Sequence, residues 1–157
     1  MKRVLLLVVA VLLLGATSAP ARTSSSAIVK TAFNKKLGKT ILVDVRGRTL
    51  YLFTADSPGH SACINDPTYH CSKDWPPLLT TADPTAKGSA KASLLGTFTR
   101  DEGTTQVTYA GHPLYTWAGY AGDPPDRKPG DVKGQGYIGA WYVLSPTGKK
   151  ITKLPHA

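Results

Sequence analysis

The chain lacks the signatures from which most enzymes are read. It has no nucleophile elbow, no metalloprotease helix motif, no phosphate loop and no dinucleotide fingerprint. Catalysis is therefore not expected. Charged residues are sparse, at 18% against the roughly 25% of an average soluble domain. Acidic residues are scarcer still: 10 Asp and Glu face 19 Lys and Arg, for a formal net charge of +9. Helical periodicity is nearly absent, and only residues 26–37 pass as a short helix. With 15 Gly and 12 Pro in 157 residues, a turn-rich single domain is favoured over a helical bundle. Hydrophobic residues recur in strand-like runs, which excludes intrinsic disorder.

One apolar run stands out. Lys2 and Arg3 precede an uncharged stretch from Val4 to Gly15, and Ala19-Pro20-Ala21 offers small residues for cleavage. This is the layout of a secretory signal peptide over residues 1–21, with a core too short for an ordinary membrane span. No cysteine lies near the cleavage region, so an N-terminal lipid anchor is not expected. Cleavage after Ala21 removes Lys2 and Arg3 and no acidic residue, taking the net charge from +9 to +7. Outside the cytoplasm, the anions such a surface meets are envelope polymers and lipid head groups. Nucleic acid is not an expected partner. Residues 22–36 read as a flexible leader or short helix, and 37–157 as one β domain.

Within that domain two β-rich runs, residues 40–45 and 48–53, flank Arg46-Gly47 as in a tight hairpin. Residues 106–109 and 112–117 flank Ala110-Gly111 in the same way. The two hairpins align without gaps at an offset of 64: Val43 with Val107, Gly47 with Gly111, Leu50 with Leu114, Tyr51 with Tyr115, Phe53 with Trp117. Trp75 and Trp141 follow at an offset of 66. The pattern is a two-fold internal repeat, about 39–79 and 104–145, whose copies pack into one core. Further hairpins are expected at 95–109 and 141–153, with long Gly/Pro-rich loops at 56–74 and 119–137. The fold class is thus all-β and mainly antiparallel.

A two-residue turn at Arg46-Gly47 would pair Val43 with Leu50 and Ile41 with Leu52 on a core face. It would place Leu42 beside Tyr51 and Thr40 beside Phe53 on a mixed face. The second hairpin repeats the scheme, with Val107 opposite Leu114 and Gln106 opposite Tyr115. The aromatics Tyr51, Phe53, Tyr115 and Trp117 then share a face, which either packs under the long loops or opens to a ligand such as a sugar ring.

The residues 47–56 (GRTLYLFTAD), the cysteine pair, Trp75-Pro-Pro-Leu78, Gln106-Val-Thr-Tyr109 and Gly111-His-Pro-Leu-Tyr115 together resemble a bacterial family of exported proteins. It is described as a secreted repeat of unknown function, with a Tyr-x-aromatic-x-x-Asp motif. The resemblance spans roughly residues 37–151 and implies export and a repeat architecture. The first repeat matches the motif with Tyr51, Phe53 and Asp56. The second matches with Tyr115 and Trp117, but Tyr120 stands where the acid belongs, and Asp123 comes three positions later.

Cys63 and Cys71, eight positions apart around Asn65-Asp66-Pro67, read as a disulfide that closes a loop and contributes about 2–3 kcal/mol. With His60 and His70 they also form a Cys/His cluster, and the alternative is a zinc or copper site, or a redox role. Otherwise no cofactor is expected. Asp56 should accept hydrogen bonds from the loop that follows it. Asp123, Asp126 and Asp131 lack the alternating oxygens of a calcium loop and read as solvated turn residues. The functional expectation is an exported, non-catalytic envelope or extracellular module that binds a polymer or protein. The metal or redox protein and a glycan-binding aromatic face are the alternatives.

Overall fold

The computed structural model describes residues 24–65 and 68–155; the signal-peptide reading of residues 1–21 lies outside them. Eight short strands, one four-residue α-helix and two three-residue 3-10 helices, Ala92–Leu94 and Tyr137–Gly139, make up the regular structure of the described residues: β1 Ser26–Asn34, β2 Lys39–Asp44, β3 Tyr51–Phe53, α1 Cys71–Asp74, β4 Ala82–Ala86, β5 Leu95–Thr99, β6 Thr105–Tyr109, β7 His112–Pro113 and β8 Trp141–Val143. The strands form three sheets, ordered β2-β1-β4, β3-β8 and β5-β6-β7. All pairings are antiparallel except β1 with β4. The mainly antiparallel all-β fold therefore holds. No helix among the described residues is long and apolar enough to cross a membrane.

The segment read as a leader or short helix is instead β1. Ile28, Val29, Thr31 and Phe33 are β-branched or aromatic, and such side chains fit a pleated surface better than a helix. The turn at residues 35–38 folds β2 back on it in full register, from Val29 opposite Asp44 to Asn34 opposite Lys39. β4, which the sequence patterns did not indicate, lies at the sheet edge, where Pro84 is tolerated.

The first hairpin departs from its expected register by one residue. Val43 faces Thr49, and Leu50 N–H donates to Leu42 O at 3.0 Å. Asp44 is the cause. Its Oδ1 accepts the Arg46 and Arg48 N–H groups at 2.9 and 2.8 Å, and its Oδ2 accepts from Arg48 Nε at 2.7 Å. These bonds stabilise a three-residue loop, Val45-Arg46-Gly47, closed by Gly47 at φ 83°. Val45, in that loop, is left 55% exposed. Because side chains alternate faces, the one-residue slip exchanges partners. Leu42 joins Leu50 and Leu52, while Ile41 and Val43 join Tyr51.

The second hairpin does turn in two residues, with Ala110 and Gly111 both at positive φ and Val107 O accepting from Leu114 N–H. Past Leu114 the strands separate. Residues 76–80 wedge between them, so the expected pairing of Gln106 with Tyr115 gives way to Leu79 opposite Gln106 and Pro77 opposite Tyr115. Gln106 Nε2 spans the gap to Leu114 O at 2.8 Å. Instead of one core, two buried clusters lie among the sheets, and both repeats feed each of them.

Candidate functional site

The two repeats exchange strands. β3 of the first repeat pairs with β8 of the second, Tyr51 opposite Val143 and Phe53 opposite Trp141. Correspondingly, residues 114–116 of the second repeat pair with 76–78 of the first, through Leu78 N–H to Leu114 O and Thr116 N–H to Pro76 O. The strands meet at the motif tyrosines. Tyr51 and Tyr115 exchange both backbone hydrogen bonds, at 2.9 and 3.0 Å.

Side chains follow the same pseudo-two-fold plan. Trp75 and Trp141 stack at its centre, 3.9 Å apart and 1° from parallel. Phe53 stacks on the outer face of Trp141, and Trp117 leans on Trp75. Tyr51 meets Trp75 edge-on at 5.3 Å, and Tyr115 meets Trp141 edge-on at 5.2 Å. Edge and offset arrangements are those favoured by the ring quadrupoles.

The tyrosine hydroxyls are held crosswise. Tyr115 OH donates to Asp56 Oδ2 at 2.8 Å, and Tyr51 OH donates to Asp126 Oδ2 at 2.6 Å. Each acid also accepts a backbone N–H from its own loop, Asp56 from Ala62 and Asp126 from Lys133. Thus the acid of each repeat receives the tyrosine of the other. The place that Tyr120 leaves without an acid is filled by Asp126, not Asp123. Asp126 and Asp131, expected in solvent, are only 7% and 5% exposed. Asp131 accepts from the Arg127 and Lys128 N–H groups.

These contacts shift the acids and phenols. Burial raises the Asp56 carboxyl to about 6, opposed by the bonds from Ala62 and Tyr115 and by the Arg100 charge. Burial likewise raises Asp126, opposed by its bond from Tyr51. Both phenols rise, through burial and the facing carboxylates. Among the described residues, every buried side-chain polar atom has a partner.

Cys63 and Cys71 form the expected disulfide. Its loop is anchored to the second repeat by Arg100, which donates to Cys63 O at 2.7 Å and to Gln106 Oε1 at 2.6 Å, and pairs with Glu102. Ser61 adds a bond to Tyr115 OH at 2.7 Å. Two readings of the site need correction. Bonding the sulfurs to each other removes both thiolates from the Cys/His cluster, leaving only the exposed side chains of His60 and His70 as ligands. The proposed ligand face is interior: Tyr51, Tyr115 and Trp117 are at most 2% exposed, and Phe53 is half-buried against Trp141. An aromatic platform open to a glycan is therefore absent at these positions.

The chemistry that does face solvent is basic. A groove of about 610 Å³ lies along β1 and β2 and the 128–131 segment. Lys30, Lys35, Lys36, Arg46 and Lys128 line it, with Asp131 as the one acid. None of these five cations lies within ion-pair distance of a carboxylate among the described residues. Its wall is fixed by Asn34 Nδ2 donating to Gly130 O at 3.1 Å and Thr49 Oγ1 donating to Asp131 O at 2.6 Å. Lys153 lies beside the turn that carries Lys35 and Lys36, since a Cβ built on Gly38 would lie 3.7 Å from Lys153 Nζ. The lysines were evident in the sequence, but their convergence with Arg46 and Lys128 was not.

Comparison with protein families returns a match to the model described as a secreted repeat of unknown function, over residues 31–79 and 96–145. Neither curated proteins nor solved structures gave a match.

Proposed function

Because the chain belongs to the family of secreted repeats of unknown function, we propose that it is an exported, non-catalytic module that binds a component of the cell envelope. It reaches that compartment through a cleaved signal peptide over residues 1–21. The observation that supports this reading is the use made of the motif. Tyr51, Asp56, Tyr115 and Asp126 spend their polar atoms on each other and on their own loops, so the motif works as a clasp between repeats. Groups committed in this way are poorly placed to bind and transform a substrate. Recognition is then left to the outer surface, where the uncompensated charge is positive.

The test is co-sedimentation of the exported protein with an isolated envelope fraction of its host. Retention that added salt reverses, with no soluble fragments released from the envelope, is the expected result. A protein that stays in the supernatant at low salt would refute envelope binding. Release of fragments would refute the non-catalytic reading.

A further inference from the structure

We infer that the groove along β1 and β2 is a binding site for a linear, repeatedly charged anionic polymer. This rests on the reading of the protein as a binding module and names the ligand class. Three observations carry it. First, the groove gathers five cations from three separate segments: β1 and its turn (Lys30, Lys35, Lys36), the β2 loop (Arg46) and the 128–131 segment (Lys128). Like charges brought together in this way repel one another, and a ligand that neutralises them relieves the repulsion. Second, the acid in the groove is already engaged. Asp131 Oδ2 accepts two backbone N–H groups and lies 3.7 Å from Lys133 Nζ. Lys128 also acts on its charge, but beyond ion-pair distance, so one shared acid faces five groove cations.

Third, the shape suits a chain. The groove is fixed by structure: Gly47 packs closely against Pro129, where an added Cβ would lie 3.0 Å from Pro129 Cγ at a φ of +83° that favours glycine. Bonds from Asn34 and Thr49 fix the opposite segment. A concave, cation-lined groove suits a single strand better than the flat surface of a bilayer. Phe33, 67% exposed on β1, adds an apolar ring beside the cations against which an uncharged part of the repeat unit can lie.

Polymer binding of this kind is driven by counterion release. For five contacts on a single-stranded polyanion, the slope of log affinity against log salt is about −3.5. The experiment measures binding of the exported protein to polyphosphate and to polygalacturonate across a salt series, with phosphatidylglycerol vesicles and neutral dextran alongside. Two charge-matched double variants are compared, K35E/K36E in the groove and K87E/K149E outside it. All four positions are exposed, and both variants lower the net charge by four. Circular dichroism and Tm check that each is folded.

The expected result is binding to at least one polymer with a steep salt slope and none to dextran. Whichever polymer is held more tightly identifies the anion as phosphate or carboxylate. K35E/K36E should lose about tenfold or more in affinity and flatten the slope by about 1.4, while K87E/K149E stays within about threefold. Equal losses in the two variants would overturn the groove and leave only net charge. Binding to vesicles without binding to polymer would overturn the polymer. If the protein is retained by envelope fractions but K35E/K36E is retained equally, the groove assignment fails and the envelope module stands. If nothing is retained, both fail.

Discussion

Replacing Asp56 by Asn should change how stability depends on pH, and the direction follows from the site. Burial raises this carboxyl from 3.8 to about 6 in the folded protein. Between those values the native state binds more protons than the unfolded state, so stability falls as pH rises through the window. The stabilising contribution of the protonated acid is complete below about pH 4 and lost above about pH 6. A rise from 3.8 to about 6 corresponds to at most about 3 kcal/mol. Screening at a half-buried carboxyl reduces the expected effect to about 1–2 kcal/mol.

An amide at this position keeps the same shape. Its oxygen can accept from Ala62 N–H, and its NH2 can donate to the Tyr115 oxygen, which still bonds Ser61. The assay is urea unfolding of both proteins at pH 4, 5, 6, 7 and 8. The difference between them isolates Asp56 from Asp126, which is raised in the same sense, and from His112, which burial lowers. Asp56→Asn should gain about 1–2 kcal/mol relative to the parent on going from pH 4 to pH 8, a shift of about 3–8 °C in Tm. A difference that stays flat with pH, or slopes the other way, would refute the argument that burial outweighs the hydrogen bonds.

Other expectations follow from the same contacts. Tyr51→Phe leaves Asp126 Oδ2 without its 2.6 Å donor and should cost about 1.5–3 kcal/mol. Asp126→Asn in a double-mutant cycle should recover a coupling of about 1 kcal/mol or more, and strict additivity in chemical denaturation would count against the cross-repeat clasp. Removing both cysteines as Cys63→Ser/Cys71→Ser, or reducing the parent, should cost about 2–3 kcal/mol through loop closure, and non-reduced intact mass should show the parent two hydrogens light. Gly134→Ala places a Cβ 2.5 Å from Trp75 Cη2 and 3.2 Å from Tyr51 Cζ, so it should lose about 1–3 kcal/mol and alter the near-ultraviolet circular dichroism of the tryptophan stack.

The clasp also explains why a repeat with only two copies is stable. Each motif strand is completed by a strand of the other repeat, and each motif tyrosine is held by the other repeat's acid. Neither half can satisfy its own edge or bury its own tryptophan, so the two copies are expected to unfold as one cooperative unit. Arg100 extends the coupling to the disulfide loop, since its guanidinium bonds Cys63 O and Gln106 together.

What could be read from the sequence is what local chemistry controls. Alternating β-branched and aromatic residues marked β2, β3, β5, β6 and β8. Turn residues placed the hairpins at Ala110-Gly111 and at residues 100–103. Two cysteines eight apart gave the disulfide, and the offset of 64 gave the repeat. Where a local signal was ambiguous, the reading failed. Residues 26–34 carry both alanines and β-branched residues, and only the pairing with β2 made them a strand. The loop at Arg46-Gly47 looked like two residues until the Asp44 carboxylate drew it to three. Partner choice lay wholly beyond local reasoning. The exchange of β8 and residues 76–78 between repeats, the substitution of Asp126 for a missing motif acid and the gathering of Lys30, Arg46 and Lys128 into one groove join residues far apart in the chain. The physical reason is that periodicity and turn chemistry act over a few residues. Burial of three tryptophans and satisfaction of their polar neighbours are instead settled only when the whole chain closes on itself.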